Sequence, residues 1–369
     1  MLTWVEIKKL NIQNNLKQFR KIVGPKQIMA IIKANAYGHG MLEIAKLCLS
    51  AGADWLGVVN LEEALSLRQL KIKAPIFILS YYPFSSNIKE AISQDIDFPI
   101  YTLSQATFLA QEGKKVNKIV NIHLKVDTGA SRIGIQPEDV SGFIKKISKF
   151  KNLNLRGIFT HYADSESKDQ FYTNQQTKKF QKIVKQEQIS LAHAACSAAI
   201  INNPDTLFNM VRVGIGLYGL CPSENTKKNA NRNFSVNLMP ALSWKTRIIQ
   251  VKSLPAGTPI GYDRTYVTRS KTILAILPVG YADGYDRRLS NCGSVLINGV
   301  SCPIRGRVCM NMTMVDASHV AKVKEGDEVV LIGKQGSNIV SADDMAKKIG
   351  TINYEVVSRI NSSIPRIYK

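Results

Sequence analysis

The sequence predicts an α/β protein in which a (β/α)₈ barrel of the TIM type is followed by a mainly β domain. In the first part of the chain, short apolar segments alternate with helical patterns, which is typical of a parallel sheet. Eight such segments are present, the number that closes a barrel. After Pro240 the pattern changes to short strands between turn residues. We therefore predict a barrel over 9–235 and a β domain over 236–369 that also includes the N-terminal strand of 1–8.

The barrel strands are predicted where apolar runs lie between polar or glycine-containing segments. These runs are 27–32, 55–59, 76–79, 98–101, 118–126, 155–161, 191–194 and 209–213. Helix starts lie between them: Asn60 with Glu63, and Thr102 with Gln105, have the capping-box spacing. The polar stretch 223–232 interrupts the alternation and is interpreted as a loop or linker.

The β domain is predicted from short apolar segments that are joined by turns. Its strands are 241–252, 272–277, 294–297 and 328–332. The turns Pro255-Ala256-Gly257 and Asn298-Gly299 fit hairpins. Two short helices are expected near the end of the chain, at 342–349 and 354–360.

The composition argues against several classes of protein. The six cysteines form no CxxC pair and the five histidines show no ligand spacing, so neither a disulfide framework nor a metal site is expected. No apolar run approaches the roughly 18 residues of a membrane helix, and no secretory signal is recognisable. We therefore expect a cytoplasmic protein without a membrane partner.

The net charge of +21 follows from 49 basic and 28 acidic residues. Binding to nucleic acid is one interpretation of such a charge. However, the lysines occur as small pairs along the chain, with no basic tail and no basic helix interleaved with aromatic residues. A lysine-rich solvated surface is favoured, and no nucleic-acid partner is expected.

Lys33 is the first candidate catalytic residue, because it ends the first apolar strand before the glycine-containing turn of 37–40. A lysine at the mouth of a buried strand is partly desolvated, which favours the neutral amine. A neutral amine is a nucleophile that forms a Schiff base with an aldehyde. From its position alone, the alternative is an ordinary solvated charge at a strand–loop junction.

Further candidates follow the later strands, where barrels of this type build their ligand sites. These residues are Arg132, His161, Ser197 and Arg212. Ser197 opens a helical pattern, so its hydroxyl and N–H can bind a phosphate. The glycines of 214–216 allow the backbone to approach a ligand closely. Taken singly, such a serine is also an ordinary helix cap, and paired glycines are an ordinary turn.

Several ordered motifs resemble those of bacterial alanine racemases, and the resemblance extends from Val5 to Arg366. They are 31–40, 124–134, 193–199, 210–219, 277–285, 306–312 and 352–355. The resemblance implies an isomerase that uses pyridoxal phosphate (PLP, fold type III) to interconvert L- and D-alanine for peptidoglycan. It also implies a head-to-tail homodimer with shared active sites. The alternatives are a racemase of broader amino-acid specificity, a PLP decarboxylase and a PLP-binding protein without turnover.

The resemblance implies two catalytic bases, since one base cannot easily reach both faces of the substrate α-carbon. Lys33 would act on D-alanine and Tyr281 on the opposite face. The residues implied to hold the cofactor, besides Lys33 and Arg212, are Tyr37, Ser197, Gly214, Ile215 and Tyr354.

The resemblance places Arg212 against the pyridine nitrogen and links it to Tyr281 through His161. Because arginine does not give up its proton, the nitrogen would stay unprotonated and the ring would be a weaker electron sink. That favours racemisation over transamination and over the decarboxylases of this fold.

The remaining implied roles concern the substrate. Arg132 would bond the phenolic oxygen of the cofactor and help to hold the substrate carboxylate. Lys125 matches a lysine that is carbamylated in some members and orients that arginine. The backbone N–H of Met310, from the other subunit, would meet the substrate carboxylate. Two positions depart from the usual pattern: Ser131 replaces glycine and Asn311 replaces aspartate.

Overall fold

The computed structural model describes residues 1–85 and 87–369, which form two compact units. The barrel unit comprises Leu10–Ala36 and Met41–Pro240. The β unit comprises Met1–Lys9, Tyr37–Gly40 and Ala241–Lys369. The chain begins with strand β1 (Thr3–Ile7) and helix α1 (Lys9–Val23).

The barrel unit contains the closed eight-stranded parallel barrel predicted from the sequence, which confirms the fold class. Its first and last strands pair in parallel, which closes the ring. Most of the strand residues are buried, so most of the strands appear in the sequence as nearly continuous apolar runs. They are β2 (Gln27–Ile31), β3 (Trp55–Val58), β4 (Ile76–Ile78), β5 (Ile96–Ile100), β6 (Val120–Lys125), β7 (Leu153–Phe159), β8 (Ala192–His193) and β9 (Met210–Val213).

Helices connect the barrel strands, and the two predicted capping signals differ in structure. At Thr102 the capping box is complete, since its hydroxyl accepts from Gln105 N at 3.2 Å and Gln105 Oε1 accepts from Thr102 N at 3.2 Å. Asn60 caps Glu63 N at 2.8 Å, but the Glu63 carboxylate bonds other backbone groups. The helices are α3 (Met41–Ser50), α4 (Leu61–Gln69), α5 (Asn87–Ser93), α6 (Leu103–Lys115), α7 (Val140–Ile147), α8 (Phe171–Glu187), α9 (Ser197–Asn202) and α10 (Glu224–Phe234), and they follow a left-handed segment, α2 (Lys33–Tyr37).

The segment 223–232, predicted to be a loop, is mostly helix α10, so that prediction is wrong. Ser223 caps the helix by accepting a hydrogen bond from Thr226 N at 3.1 Å. Thr226 and Ala230 are buried, and Asn202 in α9 donates to the Thr226 hydroxyl at 3.0 Å. Packing against the preceding helix therefore outweighs the low helix propensity of an asparagine-rich segment.

The β unit is built mainly of antiparallel strands, as predicted. A seven-stranded sheet has the order β16-β15-β18-β10-β1-β20 with β19 on β18, beside sheets β11-β14-β17 and β12-β13. The strands are β10 (Leu242–Arg247), β11 (Gln250–Leu254), β12 (Pro259–Ile260), β13 (Tyr266–Val267), β14 (Thr272–Leu277), β15 (Ser294–Ile297), β16 (Val300–Pro303), β17 (Thr313–Asp316), β18 (Glu328–Gln335), β19 (Asn338–Val340) and β20 (Arg366–Tyr368). The helices are α11 (Ala342–Ile349) and α12 (Asn353–Ser358).

The segment 241–252 was predicted as one strand, and this prediction is wrong. It forms β10 and β11, which belong to different sheets. At the break, Ile248 N donates to Asp327 O at 3.1 Å and Ile249 N donates to Ile276 O at 3.0 Å. The backbone therefore passes from one sheet to the other, a change that a continuous apolar pattern does not reveal.

Within residues 1–85 and 87–369, no helix combines the length and the apolar character that crossing a membrane requires.

Candidate active site

Lys33 lies directly after β2, at the start of a backbone turn of unusual handedness. The four residues from Ala34 to Tyr37 have φ values of 53°, 53°, 54° and 52°. This left-handed conformation is unfavourable for residues with a Cβ and must be held by other contacts. The Glu63 carboxylate supplies one of them, accepting a hydrogen bond from Ala34 N at 2.7 Å. Its other oxygen accepts from Val59 N at 3.0 Å, which holds the carboxylate in position.

The Lys33 amine is half-buried, and its environment favours the neutral form. Burial lowers its pKa, and the positive charges of Arg132 and Arg212 lower it further, against the opposing effect of Glu63. A larger fraction of the amine is therefore unprotonated than in a solvated lysine.

Arg212, in β9, donates hydrogen bonds to several groups at the ends of the barrel strands. NH1 donates to His193 Nδ1 at 2.8 Å and to His193 O at 2.9 Å. NH2 donates to the carbonyls of Thr160 at 2.8 Å and Ala194 at 2.7 Å, and to His161 Nδ1 at 3.1 Å. For the Nε N–H, no acceptor is found among the described residues. Burial lowers the pKa of Arg212 to about 10, so the guanidinium stays protonated at neutral pH.

His161 is held in one protonation state by this arginine. Since a guanidinium only donates, His161 Nδ1 accepts and the ring proton lies on Nε2. Burial lowers the pKa of His161 well below its usual value, and the charges of Arg212 and Lys125 lower it further. The imidazole is therefore neutral and offers an N–H donor on its other side.

Lys125 is the last residue of β6 and is buried. Its Nζ lies 4.3 Å from the centre of the Phe159 ring. Burial lowers the pKa of Lys125 well below its usual value, and Arg212 and Arg132 lower it further. The ammonium form is disfavoured at this position.

Arg132 is exposed and lies in the loop after β6. The carboxylate of Asp127 organises this loop by accepting from the backbone N–H groups of 129–132 at 2.8 to 3.1 Å. Although burial raises the pKa of Asp127, these hydrogen bonds hold it below its usual value. Ser131 has φ 50°, a conformation that glycine adopts more easily, so its replacement of glycine adds strain that the carboxylate contacts offset.

Ser197 and the glycines after β9 form a compact group. Ser197 is buried, and its hydroxyl oxygen accepts from Gly214 N at 2.9 Å and from Gly216 N at 3.3 Å. A hydroxyl has two acceptor positions and one donor, so the proton remains available, and no acceptor for it is found among the described residues. A Cβ at Gly216 would lie 2.5 Å from the Phe19 ring, which explains why glycine is needed there.

In the β unit, Tyr281 and Met310 lie on two loops that are bonded to each other. Tyr281 N donates to Cys309 O at 3.0 Å, and Ala282 N donates to Met310 O at 3.0 Å. A Cβ at Gly280 would lie 2.2 Å from Cys309 O, so glycine permits this close approach. The side chains of Tyr281 and Met310 are 42% and 56% exposed.

Tyr37 and Tyr354 form a second group in the β unit. Their ring centroids are 6.2 Å apart, and Tyr37 is buried. Gly38 follows with φ 82°, and a Cβ there would lie 2.2 Å from Val357 O. Close packing against α12 therefore holds this tyrosine pair in place.

The sequence-predicted residues divide between the two units. The barrel unit holds Lys33, Lys125, Arg132, His161, Ser197, Arg212, Gly214 and Ile215, and the β unit holds Tyr37, Tyr281, Met310 and Tyr354. Four polar residues that were not singled out lie next to these residues. His193 bonds Arg212, His123 and Asp97 continue that chain of hydrogen bonds, and Glu63 bonds the backbone of Ala34 beside Lys33. Three of these interrupt apolar strands, and a buried polar residue in such a strand is the signal that would have found them.

Comparison with known proteins identifies a single family. The family model described as alanine racemase, N-terminal domain, matches residues 7–222, and the one described as alanine racemase, C-terminal domain, matches residues 241–368. The alanine racemase of Methanococcus maripaludis is 43% identical over 372 residues, which cover 99% of this chain and 98% of that relative.

Solved structures agree with this result. A crystal structure of alanine racemase from D-cycloserine-producing Streptomyces lavendulae has a TM-score of 0.94 and 31% identity, covering 100% of this chain and 97% of that chain. The alanine racemase of Bartonella henselae, solved with covalently bound pyridoxal phosphate, has a TM-score of 0.87 and 28% identity, covering 100% of both chains. The resemblance inferred from the motifs is confirmed, and the chain belongs to the alanine racemase family.

Proposed function

We propose that this chain interconverts L- and D-alanine with pyridoxal phosphate as cofactor, supplying D-alanine for peptidoglycan. The observation that carries the proposal is the convergence of side chains at the carboxyl ends of the barrel strands. Lys33, His161 and Arg212 lie there close enough to affect one another's pKa values, together with Arg132 and Lys125. The two shifted amines and the neutral imidazole are groups that can transfer protons at neutral pH.

The residues present fit the proposed cofactor. Ser197 offers a buried hydroxyl proton beside the backbone of 214–216, which suits a phosphate oxygen. The free Nε N–H of Arg212 suits an aromatic nitrogen that accepts a hydrogen bond. The positive field of Arg132 and Arg212 favours a ligand that carries a phosphate and a carboxylate. We propose that Tyr37 and Tyr354 complete the phosphate contacts.

When bound, the cofactor withdraws electrons from the α-carbon and so lowers the cost of removing its proton. Lys33 would hold the cofactor covalently until the amine of the substrate replaces it there. The released Lys33 amine, whose pKa burial lowers, would then accept the α-proton of D-alanine. Tyr281 accepts the proton from L-alanine on the opposite face. His161 offers its Nε2 N–H to the Tyr281 oxygen and stabilises the deprotonated form of that oxygen. Arg132 and the backbone N–H of Met310 orient the substrate carboxylate.

Arg212 sets the type of chemistry, because its guanidinium remains protonated. Arg212 would donate a hydrogen bond to the ring nitrogen of the bound cofactor and so keep that nitrogen unprotonated. The cofactor would then supply a weaker electron sink for the α-carbon. This property favours racemisation over transamination.

We propose that two chains associate head to tail, so that Tyr281 of one chain serves Lys33 of the other. The exposure of Tyr281 and Met310 supports this arrangement, because both side chains are available to a second chain. A two-fold dimer would contain two such shared sites.

A mixing experiment tests the shared site. Lys33→Ala and Tyr281→Phe are purified separately, mixed under conditions that exchange subunits, and assayed for loss of alanine chirality. Random exchange makes half of the dimers mixed, and one of the two sites in each is unaltered. We therefore expect recovery to about a quarter of the native activity.

The outcomes separate the two parts of the proposal. If each variant is inactive and the mixture stays inactive after exchange, the shared site is wrong. If the unaltered protein leaves the chirality of L-alanine unchanged in the presence of pyridoxal phosphate, the proposed activity is wrong. If each site were built within one chain, neither variant could restore the other, and the mixture would stay inactive.

A further inference from the structure

We propose that Asp97 is a positioning residue for Arg212 and acts through two buried imidazoles inside the barrel. This inference rests on the proposed function, in which Arg212 faces the cofactor ring. The relay runs from Arg212 to His193 in β8, then to His123 in β6 and finally to Asp97 in β5.

The distances form an unbroken chain of hydrogen bonds. His193 Nδ1 lies 2.8 Å from Arg212 NH1, and His193 Nε2 lies 3.0 Å from His123 Nδ1. His123 Nε2 lies 3.1 Å from Asp97 Oδ2. The side chains of Asp97, His123 and His193 are fully buried, so water does not compete for these contacts.

Arg212 at one end of the relay and Asp97 at the other determine which ring nitrogen of each histidine carries the proton. Arg212 only donates, so His193 Nδ1 is an acceptor and its single proton lies on Nε2. That proton is donated to His123 Nδ1, which leaves the His123 proton on Nε2. This proton is donated to Asp97, which only accepts when ionised. Both imidazoles are therefore neutral and have the same tautomer.

The barrel makes room for this relay at one position. His123 and His193 lie on β6 and β8, and the intervening strand β7 carries Gly157 between them. A Cβ at Gly157 would lie 2.7 Å from His123 Nδ1 and 3.0 Å from its Cε1. Any larger residue would displace the imidazole from His193.

The charge of Asp97 matters because Arg212 has no direct carboxylate partner among the described residues. The acidic end of the relay is itself held by Arg156, whose NH1 lies 3.2 Å from Asp97 Oδ2. An ionised carboxylate can only accept from His123, so it excludes the reversed tautomers. In the reversed arrangement, a His193 Nδ1–H would face an Arg212 N–H and push the guanidinium out of place. The relay therefore fixes the orientation of Arg212 toward the ring.

Gly157→Ala tests the relay without altering a residue of the active site. The matched control is Gly142→Ala, because a Cβ at Gly142 meets no atom within 4 Å. Nitrogen-15 labelling of the five histidines reports the proton position on each imidazole, with and without pyridoxal phosphate. Steady-state kinetics of alanine racemisation give kcat and KM separately.

In the unaltered protein, we expect His123 and His193 to carry their protons on Nε2 in both forms. In Gly157→Ala, the His193 signal should show loss of this hydrogen bond, and kcat should fall about tenfold with KM within about twofold, the effect of one misplaced hydrogen bond. Gly142→Ala should retain the native signals and the native kcat. A second variant, Asp97→Asn, should also change the imidazole signals, whereas Asp95→Asn on the surface should not.

Three results would overturn the inference. One is a proton on Nδ1 of either imidazole in the unaltered protein. Another is native kcat in a folded Gly157→Ala protein whose His193 signal has changed. The third is a parallel loss of stability and activity in both relay variants with native imidazole signals, which would indicate a purely structural role. The imidazole signals do not require turnover, so failure of the relay is distinct from failure of the proposed function.

Discussion

The two units differ in the exposure of their candidate bases, Lys33 in the barrel unit and Tyr281 in the β unit. In the barrel unit, Lys125 and Arg212 are buried and Lys33 is half-buried, and burial lowers the pKa of all three. In the β unit, Tyr281 and Met310 are exposed on loops whose backbones are bonded to each other. Lys33, Lys125 and Arg212 thus lie among one another's charges in the barrel unit, whereas Tyr281 and Met310 of the β unit face solvent.

This difference indicates which tasks the barrel residues can perform alone and which require a second chain. A buried guanidinium such as that of Arg212 can attract an anionic ligand and lower the pKa of neighbouring amines without help from a second chain. An exposed tyrosine gains comparable surroundings only when another surface covers it. The proposed head-to-tail dimer provides that cover, and four changes measure what each half contributes.

The largest effect is expected from Lys33→Ala, which removes the proposed covalent anchor and one base from the barrel half. Racemisation should fall roughly 10⁴-fold. After treatment with borohydride and denaturation, the cofactor absorbance should remain with the unaltered chain and be lost from the variant. Lys46→Ala, at an exposed lysine on α3, is the control and should behave as native. Activity that survives in Lys33→Ala would refute the role of this residue.

Removal of the Tyr281 hydroxyl tests the contribution proposed for the β unit. In Tyr281→Phe, racemisation should fall roughly 10²-fold or more, the usual worth of a positioned base. The α-proton of D-alanine should still exchange with deuterium from solvent, because Lys33 remains. The α-proton of L-alanine should not. Equal loss of exchange from both enantiomers contradicts the assignment of one base to each face.

A third prediction concerns the stability of the barrel unit at mildly acidic pH. Burial lowers the pKa of His161 and His193 well below the usual value. Below about pH 6.5 the unfolded imidazoles bind protons and the native ones do not, so the unfolding free energy falls as the pH falls. Each histidine should contribute about 1.4 kcal/mol per pH unit between about pH 6 and 5.

Urea denaturation at several pH values measures this slope. His161→Gln should reduce it by the share of one histidine. Identical slopes in the His161→Gln and unaltered proteins would show that this imidazole is protonated in the native state.

The smallest effect is expected at the left-handed turn after Lys33. Glu63→Gln replaces one of two carboxylate acceptors with a donor that faces a backbone N–H. We expect a loss of about 1 kcal/mol in unfolding free energy and a few-fold loss in kcat. Glu62→Gln, at the exposed neighbouring residue, is a matched control. Equal stability of the two variants would show that other contacts hold the turn.

Several features of the site were predictable because each depends on local order in the sequence. Lys33, Arg132 and His161 follow apolar strands, and parallel strands in a closed barrel end on the same side. The capping box at Thr102 could also be predicted, since it needs only a fixed spacing of three residues. The helix at Glu224–Phe234 was not, because its stability comes from packing against α9.

The relay behind Arg212 could not be read from the sequence for a related reason. Asp97, His123 and His193 are far apart in the chain and appear as isolated polar residues in apolar strands. Their contacts depend on the stagger of β5, β6 and β8 and on the missing Cβ of Gly157. No spacing rule along the chain gives the register between separate strands, or places β6 and β8 on either side of β7.

The sequence by itself determined the barrel, the β unit and the identities of the residues that follow the strands. Hydrophobic periodicity and turn chemistry depend on residues that are close in the chain, so both can be recognised from the sequence alone. Only the tertiary structure decided which groups are buried together, which proton each imidazole carries and how Glu63 holds a left-handed turn. Burial, electric fields and hydrogen-bond direction depend on distances in space, and folding alone sets those distances.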